Sequence, residues 1–183
     1  EMRAQFEKFA ATGLPFSHVD GHTHLHQHPV IFRELIALCE EFGVKRLRVV
    51  KGEVRLNLRL NRRQWLPRML TGAVFNLLGG WCEQQLRGRG FVQPQRVHGL
   101  LQTGAVNEEY LLKLIPQMPQ ATSEIYAHPL ALDADAAALR ENPGGPLELQ
   151  AFTSPRVGAA IEQAGFKLTT YSEMADCGWR MAD

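Results

Sequence analysis

The sequence predicts an α/β protein built on a parallel sheet or barrel, and three observations carry that prediction. Strand-like runs alternate with helical stretches along much of the chain. The helical stretches bring their own punctuation, a proline or capping residue at the start and a glycine at the end. Two histidine-bearing segments, 22–28 and His128, both fall just beyond expected strand ends, where parallel α/β folds place their chemistry. With 183 residues and 45% hydrophobic content, one domain over 1–183 is expected.

Met2, Phe6, Phe9 and Ala10 recur at helical spacing, and Gly13 follows as a stop. Nothing precedes Glu1 to cap that helix, so the chain is expected to be the C-terminal part of a longer protein. Residues 16–20 read as a strand. Pro29 stands at the favoured first position of a helix whose Ile31, Leu35, Leu38 and Phe42 share a face, with Gly43 as its end. Residues 44–50 form the next expected strand and 97–101 a shorter one. Asn107 caps a helix with Glu108 and Glu109 in its first turn and Tyr110, Leu111, Leu114, Ile115 and Met118 beneath. Residues 123–127 return as strand and end at His128-Pro129. Ser154-Pro155 opens a last helix through Val157, Ala160, Ile161 and Ala164, closed by Gly165, before an expected strand over 166–171.

Cys39, Cys82 and Cys177 are odd in number, widely spaced and form no CxxC pair. That argues against a disulfide framework or a cysteine zinc site, and for a reducing, cytoplasmic setting. The longest apolar stretch, 69–81, is interrupted by glycine and falls short of the roughly 20 residues a bilayer span needs. Behind a net charge of +1 the charges are unevenly placed: twelve of the twenty Lys and Arg lie from Lys45 to Arg96, against only Glu53 and Glu83. Within the basic, apolar insertion at about 51–96, the stretch from Trp65 to Trp81 is apolar and aromatic with basic flanks. This composition suits peripheral contact with anionic lipid at the inner face of a membrane, or an amphiphilic substrate; it is equally that of a solvated basic face over a buried helix. No nucleic-acid-binding signature accompanies the charge, so nucleic acid is not an expected partner.

Five of the seven histidines fall within the run Phe16-Ser17-His18-Val19-Asp20-Gly21-His22-Thr23-His24-Leu25-His26-Gln27-His28-Pro29. Asp20, His22, His24 and His26 are two apart, so on an extended segment their side chains would leave one face and converge. Imidazole and carboxylate donors suit zinc or a similar divalent ion, which makes a metal-dependent hydrolytic site the leading expectation. The alternative is that one or two rings bind metal while the others orient them or pack.

The segment Val19-Asp20-Gly21-His22-Thr23-His24-Leu25-His26, with Pro29 following, resembles the Asp-x-His-x-His-x-His block of the YdjC-like carbohydrate deacetylases. Three further pieces agree in order: Gly99 through Gly104 before the Asn107 helix, Ser123-Glu124-Ile125-Tyr126-Ala127-His128-Pro129, and Leu149 through Ser154 with Gly165-Phe166 and Tyr171 beyond. Within the family the likeness is closest to the hopanoid-biosynthesis-associated branch, HpnK, including Gln5-Phe6-Glu7, Thr12-Gly13-Leu14-Pro15 and the Arg-rich middle.

The resemblance implies a partial, distorted (β/α) barrel of the glycoside hydrolase/deacetylase type, lacking its N-terminal βα units. It implies a divalent metal ion, zinc or magnesium, serving removal of an acetyl group from an N-acetylated amino sugar, here an N-acetylglucosaminyl hopanoid. His22 takes the position of a metal ligand, and Asp20, His24 and His26 line the sugar pocket or orient His22. His128, at an expected strand end and followed by Pro129, is the candidate acid or oxyanion donor, since amide hydrolysis must protonate a leaving amine and stabilise a tetrahedral oxyanion. The family's other ligands, an aspartate near its first strand and a Gly-x-His histidine, have no counterpart in this sequence, nor has the second aspartate of its Asp-Asp pair, the general base. All are expected upstream of Glu1. Two other readings stay open. One is an amidohydrolase-like hydrolase in which His22 and His24 both bind metal, with only His98 and His128 left to complete the site. The other is a non-catalytic lipid- or partner-binding fragment that has lost the metal site.

Overall fold

The computed structural model describes residues 1–51, 53–62, 64–131 and 133–174. It is a mixed α/β structure, mostly helical, with a small parallel sheet. The helices are α1 (Met2–Ala10), α2 (Pro29–Glu41), α3 (Val54–Leu60), α4 (Trp65–Leu86), α5 (Glu108–Leu114), α6 (Ala136–Glu141), α7 (Gly145–Phe152), α8 (Pro155–Gln163) and α9 (Tyr171–Met174); the strands are β1 (Arg96–His98) and β2 (Ser123–Ile125). The described residues divide into two compact units, one drawn from 1–50, 75–94 and 169–174, the other from 51–74 and 95–168.

In the first unit α1 ends before Gly13, at φ 73°, and α2 starts on its proline and stops before Gly43, at φ 70°. Phe32, Leu35, Ile36 and Cys39 of α2 are buried with Val44, Leu47, Val49, Cys82 and Leu86 in one core. Phe6 of α1 joins it, its ring packed on Phe16 and Phe42 at 5.7 and 5.3 Å. Burial pushes the thiols of Cys39 and Cys82 up to about 12, so both stay protonated and inert; Cys177 lies outside the described residues.

Three extended stretches of this unit run parallel, with Val19 paired to Leu47 and Arg46 to Val92. Each pairing is a single bridge, so the strands expected over 16–20 and 44–50 shrink to their centres. The reason lies just after Val19, where the backbone leaves for a 3-10 turn, His22–Gln27, and side chains of that turn take the backbone groups a longer ladder would use. A ring nitrogen of His26 bonds the Arg48 carbonyl at 2.8 Å. Gln27, fully buried, exchanges two bonds with Val50, donating Nε2–H to its carbonyl at 2.9 Å and accepting its N–H at 2.8 Å.

In the second unit β1 and β2 pair in parallel, Val97 opposite Glu124 and His98 opposite Ile125. The strand expected over 97–101 ends at His98, because Gly99 sits at φ 121° with the Tyr126 carbonyl where a Cβ would stand. A core of Val106, Leu111, Leu114, Ile115, Ala151 and Val157 forms where α5, α7 and α8 meet. Asn107 caps α5 by accepting from Tyr110 N–H at 3.0 Å, and Ser154 caps α8 through the N–H groups of Arg156 and Val157.

The strand expected over 166–171 is absent. Residues 166–170 form no ladder among the described residues, and α9 begins at Tyr171. Thr170 and Glu173 explain the difference: the Glu173 carboxylate accepts the Thr170 N–H at 3.0 Å, the glutamate half of a capping box, while its own N–H reaches the Thr170 carbonyl, and together they start a helical turn where a strand would end.

Candidate functional site

The histidine block is gathered by a tight turn. Gly21 makes the turn possible through space alone: a Cβ there would stand 2.6 Å from His26 Nδ1 and 2.8 Å from its Cβ. Thr23 and His24 both take left-handed backbone, φ 53° and 60°, a conformation unfavourable for a β-branched threonine. The segment is therefore curled where convergence of its side chains had been argued from an extended one. Convergence comes about differently: ligand-type atoms of Asp20, His24 and His26 all lie within 4.8 Å of one another. His22 and His28 are exposed on the same segment and stand outside this trio. His18 is stacked on Tyr171, ring centroids 3.8 Å apart.

Contacts from the rest of the unit set the state of the trio. His26 is buried, with one ring nitrogen, Nε2, on the Arg48 carbonyl. A carbonyl only accepts, so Nε2 carries the proton and Nδ1 presents its lone pair; Nδ1 makes no hydrogen bond among the described residues and lies 4.0 Å from Asp20 Oδ1. Burial lowers the pKa of His26, against the raising effects of the Arg48 carbonyl and Asp20, which favours the neutral ring. For Asp20, burial would raise the pKa, but the His24 ring, its Nδ1 3.8 Å from Oδ1, and the charges of Arg48 and the histidines outweigh it and hold the carboxyl below its usual value. Arg48 forms an ion pair with Asp20, and the ring of Phe75 meets His24 edge-on at 5.8 Å. An ionised carboxylate, a neutral imidazole of fixed tautomer and a second imidazole form a donor set that fits a divalent ion, and the carbonyl behind His26 is the kind of support metal-binding histidines have.

His128 is built on a different plan. Its ring is exposed, three residues past β2, with Tyr126 edge-on at 5.8 Å. Its backbone is fastened at both ends: N–H donates to Glu148 Oε2 at 2.7 Å, and the carbonyl accepts from Asn142 Nδ2 at 2.5 Å. Glu148, fully buried on α7, also accepts the Val106 N–H at 3.0 Å. His98 is a core residue, 2% exposed, its pKa pushed down to about 4 by burial and, less, by Arg96.

Sequence reasoning missed Arg48, Gln27 and Glu148. Arg48 and Gln27 act across 28 and 23 positions, which no local pattern reports. Glu148 sits among apolar residues of α7, Leu147, Leu149 and Ala151, and a lone carboxylate on a helix with buried positions was a signal available in the sequence.

Comparisons with known proteins bear on what such a site is for. The family profile described as YdjC-like protein matches residues 1–163. A chitooligosaccharide deacetylase of Yersinia enterocolitica is 28% identical over 179 residues, covering 94% of this chain and 59% of its own length. A carbohydrate deacetylase of Brevibacillus brevis is 46% identical over 44 residues, 24% of this chain and 18% of that protein. A crystal structure from Enterococcus faecalis, assigned provisionally to cellobiose-phosphate cleavage, shares the fold with a TM-score of 0.58 at 20% identity over 93% of this chain and 57% of that one. The chain thus spans a little over half the length of the Yersinia relative. With the match running through the histidine block, His128 and Glu148, the chain belongs to the YdjC-like family.

Proposed function

We propose that this chain carries the histidine half of a metal-dependent deacetylase that removes an acetyl group from an N-acetylated amino sugar. The observation that carries the reading is the Asp20, His24 and His26 trio, with His26 held in the ligating tautomer, in a family whose relatives are named carbohydrate and chitooligosaccharide deacetylases. The finer assignments follow the resemblance: a (β/α) barrel with 51–96 as its basic insertion, the hopanoid-associated branch, and an N-acetylglucosaminyl hopanoid as substrate.

A bound zinc or magnesium ion would polarise the amide carbonyl and acidify water, chemistry an amide needs because its carbonyl is a poor electrophile. His22 would be a ligand, as the resemblance implies, with the trio beside it supplying donors or orienting the sugar. Arg48 keeps Asp20 ionised and in place. His128, on its fastened backbone, would give a proton to the leaving amine or hydrogen-bond the oxyanion.

Metal content after dialysis tests the site. In the full-length protein His22→Ala is expected to abolish metal-dependent acetate release from N-acetylglucosaminyl substrates, and His26→Ala to reduce bound metal, measured by elemental analysis. Near-normal metal and activity in His22→Ala would remove it from the ligand set. For His128→Ala, kcat is expected to fall by roughly 10²-fold with a smaller change in substrate binding. Unchanged kcat with lost thermal stability would make the ring structural.

A further inference from the structure

The first half of α4 shows water the wrong face. Arg68 and Gly72 turn inward, Arg68 Nη1 donating to the Asn61 carbonyl at 3.2 Å and Gly72 lying against Val54. The outward positions are Trp65, Leu66, Met69, Leu70 and Val74; Leu70 is 59%, Trp65 55% and Val74 53% exposed. A surface helix of a water-soluble domain normally carries polar residues on that side. The first half of the helix is thus not the buried element that a solvated basic face would cover, although its second half sends Cys82 and Leu86 into the core.

Charge beside this face has one sign. No Asp or Glu occurs from residue 54 to 82, where Arg55, Arg59, Arg62, Arg63 and Arg68 all lie. Arg55, Arg59 and Arg62 are exposed, form no ion pair among the described residues, and line with Leu58 and Trp65 an open groove of about 420 Å³. Guanidinium groups beside an apolar, tryptophan-bearing helix face match a surface that is anionic outside and apolar just beneath. We propose that the α3 and α4 face, Arg55, Arg59, Arg62, Trp65, Leu66 and Leu70, docks on an anionic phospholipid bilayer. Trp65 and the leucines enter the headgroup boundary while the arginines meet lipid phosphates. A folded protein partner would need an acidic, shape-matched surface; a bilayer meets a uniformly basic and apolar face without shape matching. The inference stands apart from the deacetylase reading and needs no catalysis.

Vesicle co-sedimentation tests it with the 183-residue chain itself. Binding is expected to vesicles of phosphatidylcholine with phosphatidylglycerol, little to phosphatidylcholine alone, and to weaken as salt rises, because charges beyond a Debye length of about 10 Å at 0.1 M are screened. Combined Arg55→Glu, Arg59→Glu and Arg62→Glu should weaken binding about a hundredfold, and Leu70→Glu at least about tenfold, with unchanged melting temperature. The exposed arginine variant keeps the test valid if Leu70→Glu fails to fold. No association at low ionic strength, or binding unaffected by the arginine variant, would overturn the proposal. So would self-association without lipid binding, which would assign the face to a second copy of the chain.

Discussion

The two histidine-bearing regions are held in opposite ways. Around Asp20, His24 and His26 the side chains are fixed and the backbone is strained: a ring is tied to the Arg48 carbonyl, a carboxylate to the Arg48 guanidinium, and two non-glycine residues take left-handed conformations. At His128 the backbone is fixed and the ring is left in solvent, its N–H on buried Glu148 and its carbonyl on Asn142. A ligand set needs donors already aimed at one point, whereas a proton donor needs a fixed pivot and a ring able to reach a substrate. The contrast is what the two roles proposed for these regions would require.

Breaking the pivot should cost the most. Glu148→Ala leaves two N–H groups, those of Val106 and His128, without their charged acceptor, and unfolding in urea should show a loss of about 3–5 kcal/mol. Amide exchange of Val106 and His128 should accelerate while that of Val50, bonded by Gln27, does not. A loss near 1 kcal/mol would mean that the carboxylate is not the fastening.

The buried His98 gives the next effect, read through pH. Its folded pKa of about 4 lies below the ordinary 6.5, so between those values the unfolded chain binds more protons. Stability should therefore fall as pH drops from about 6.5 to about 4, by on the order of 3 kcal/mol, and level off below. His98→Leu, compared with the parent across that window, should remove this share of the slope; an identical pH dependence in both would show that His98 is not the source.

Gln27→Ala sharpens the comparison from the other side, since it removes two buried bonds to Val50 that anchor the turn. A destabilisation of about 2 kcal/mol is expected, together with weaker divalent-ion binding by titration calorimetry. Full retention of ion affinity would separate the turn's anchoring from its ligands. The smallest effect is of opposite sign. Thr23→Gly should raise stability by up to about 1 kcal/mol, because glycine takes φ near 53° without the cost a threonine bears. A lower melting temperature would show that the Thr23 hydroxyl, which donates to the His22 carbonyl at 2.7 Å, matters more than the strain.

What the sequence determined by itself was what neighbouring residues decide among themselves. Pro29 and Gly43 bound α2, Asn107 and Ser154 cap α5 and α8, and Gly13 and Gly165 follow α1 and α8, all through contacts within about one helical turn. The Thr170-x-x-Glu173 box was equally local and was readable as a helix start in place of the expected strand. Histidine density likewise marked the candidate site before any fold was known. Tertiary structure alone decided that Asp20, His24 and His26 meet on a curled segment while His22 stays exposed, that strands 16–20 and 44–50 shorten to single bridges, and that Glu148 fastens His128. Each of those outcomes depends on a partner twenty or more positions away: Arg48 for Asp20, Val50 for Gln27, Glu148 for His128. A charged or amide side chain written in the sequence does not say which distant backbone group will be left unbonded when the core closes, and burial makes satisfying that group obligatory.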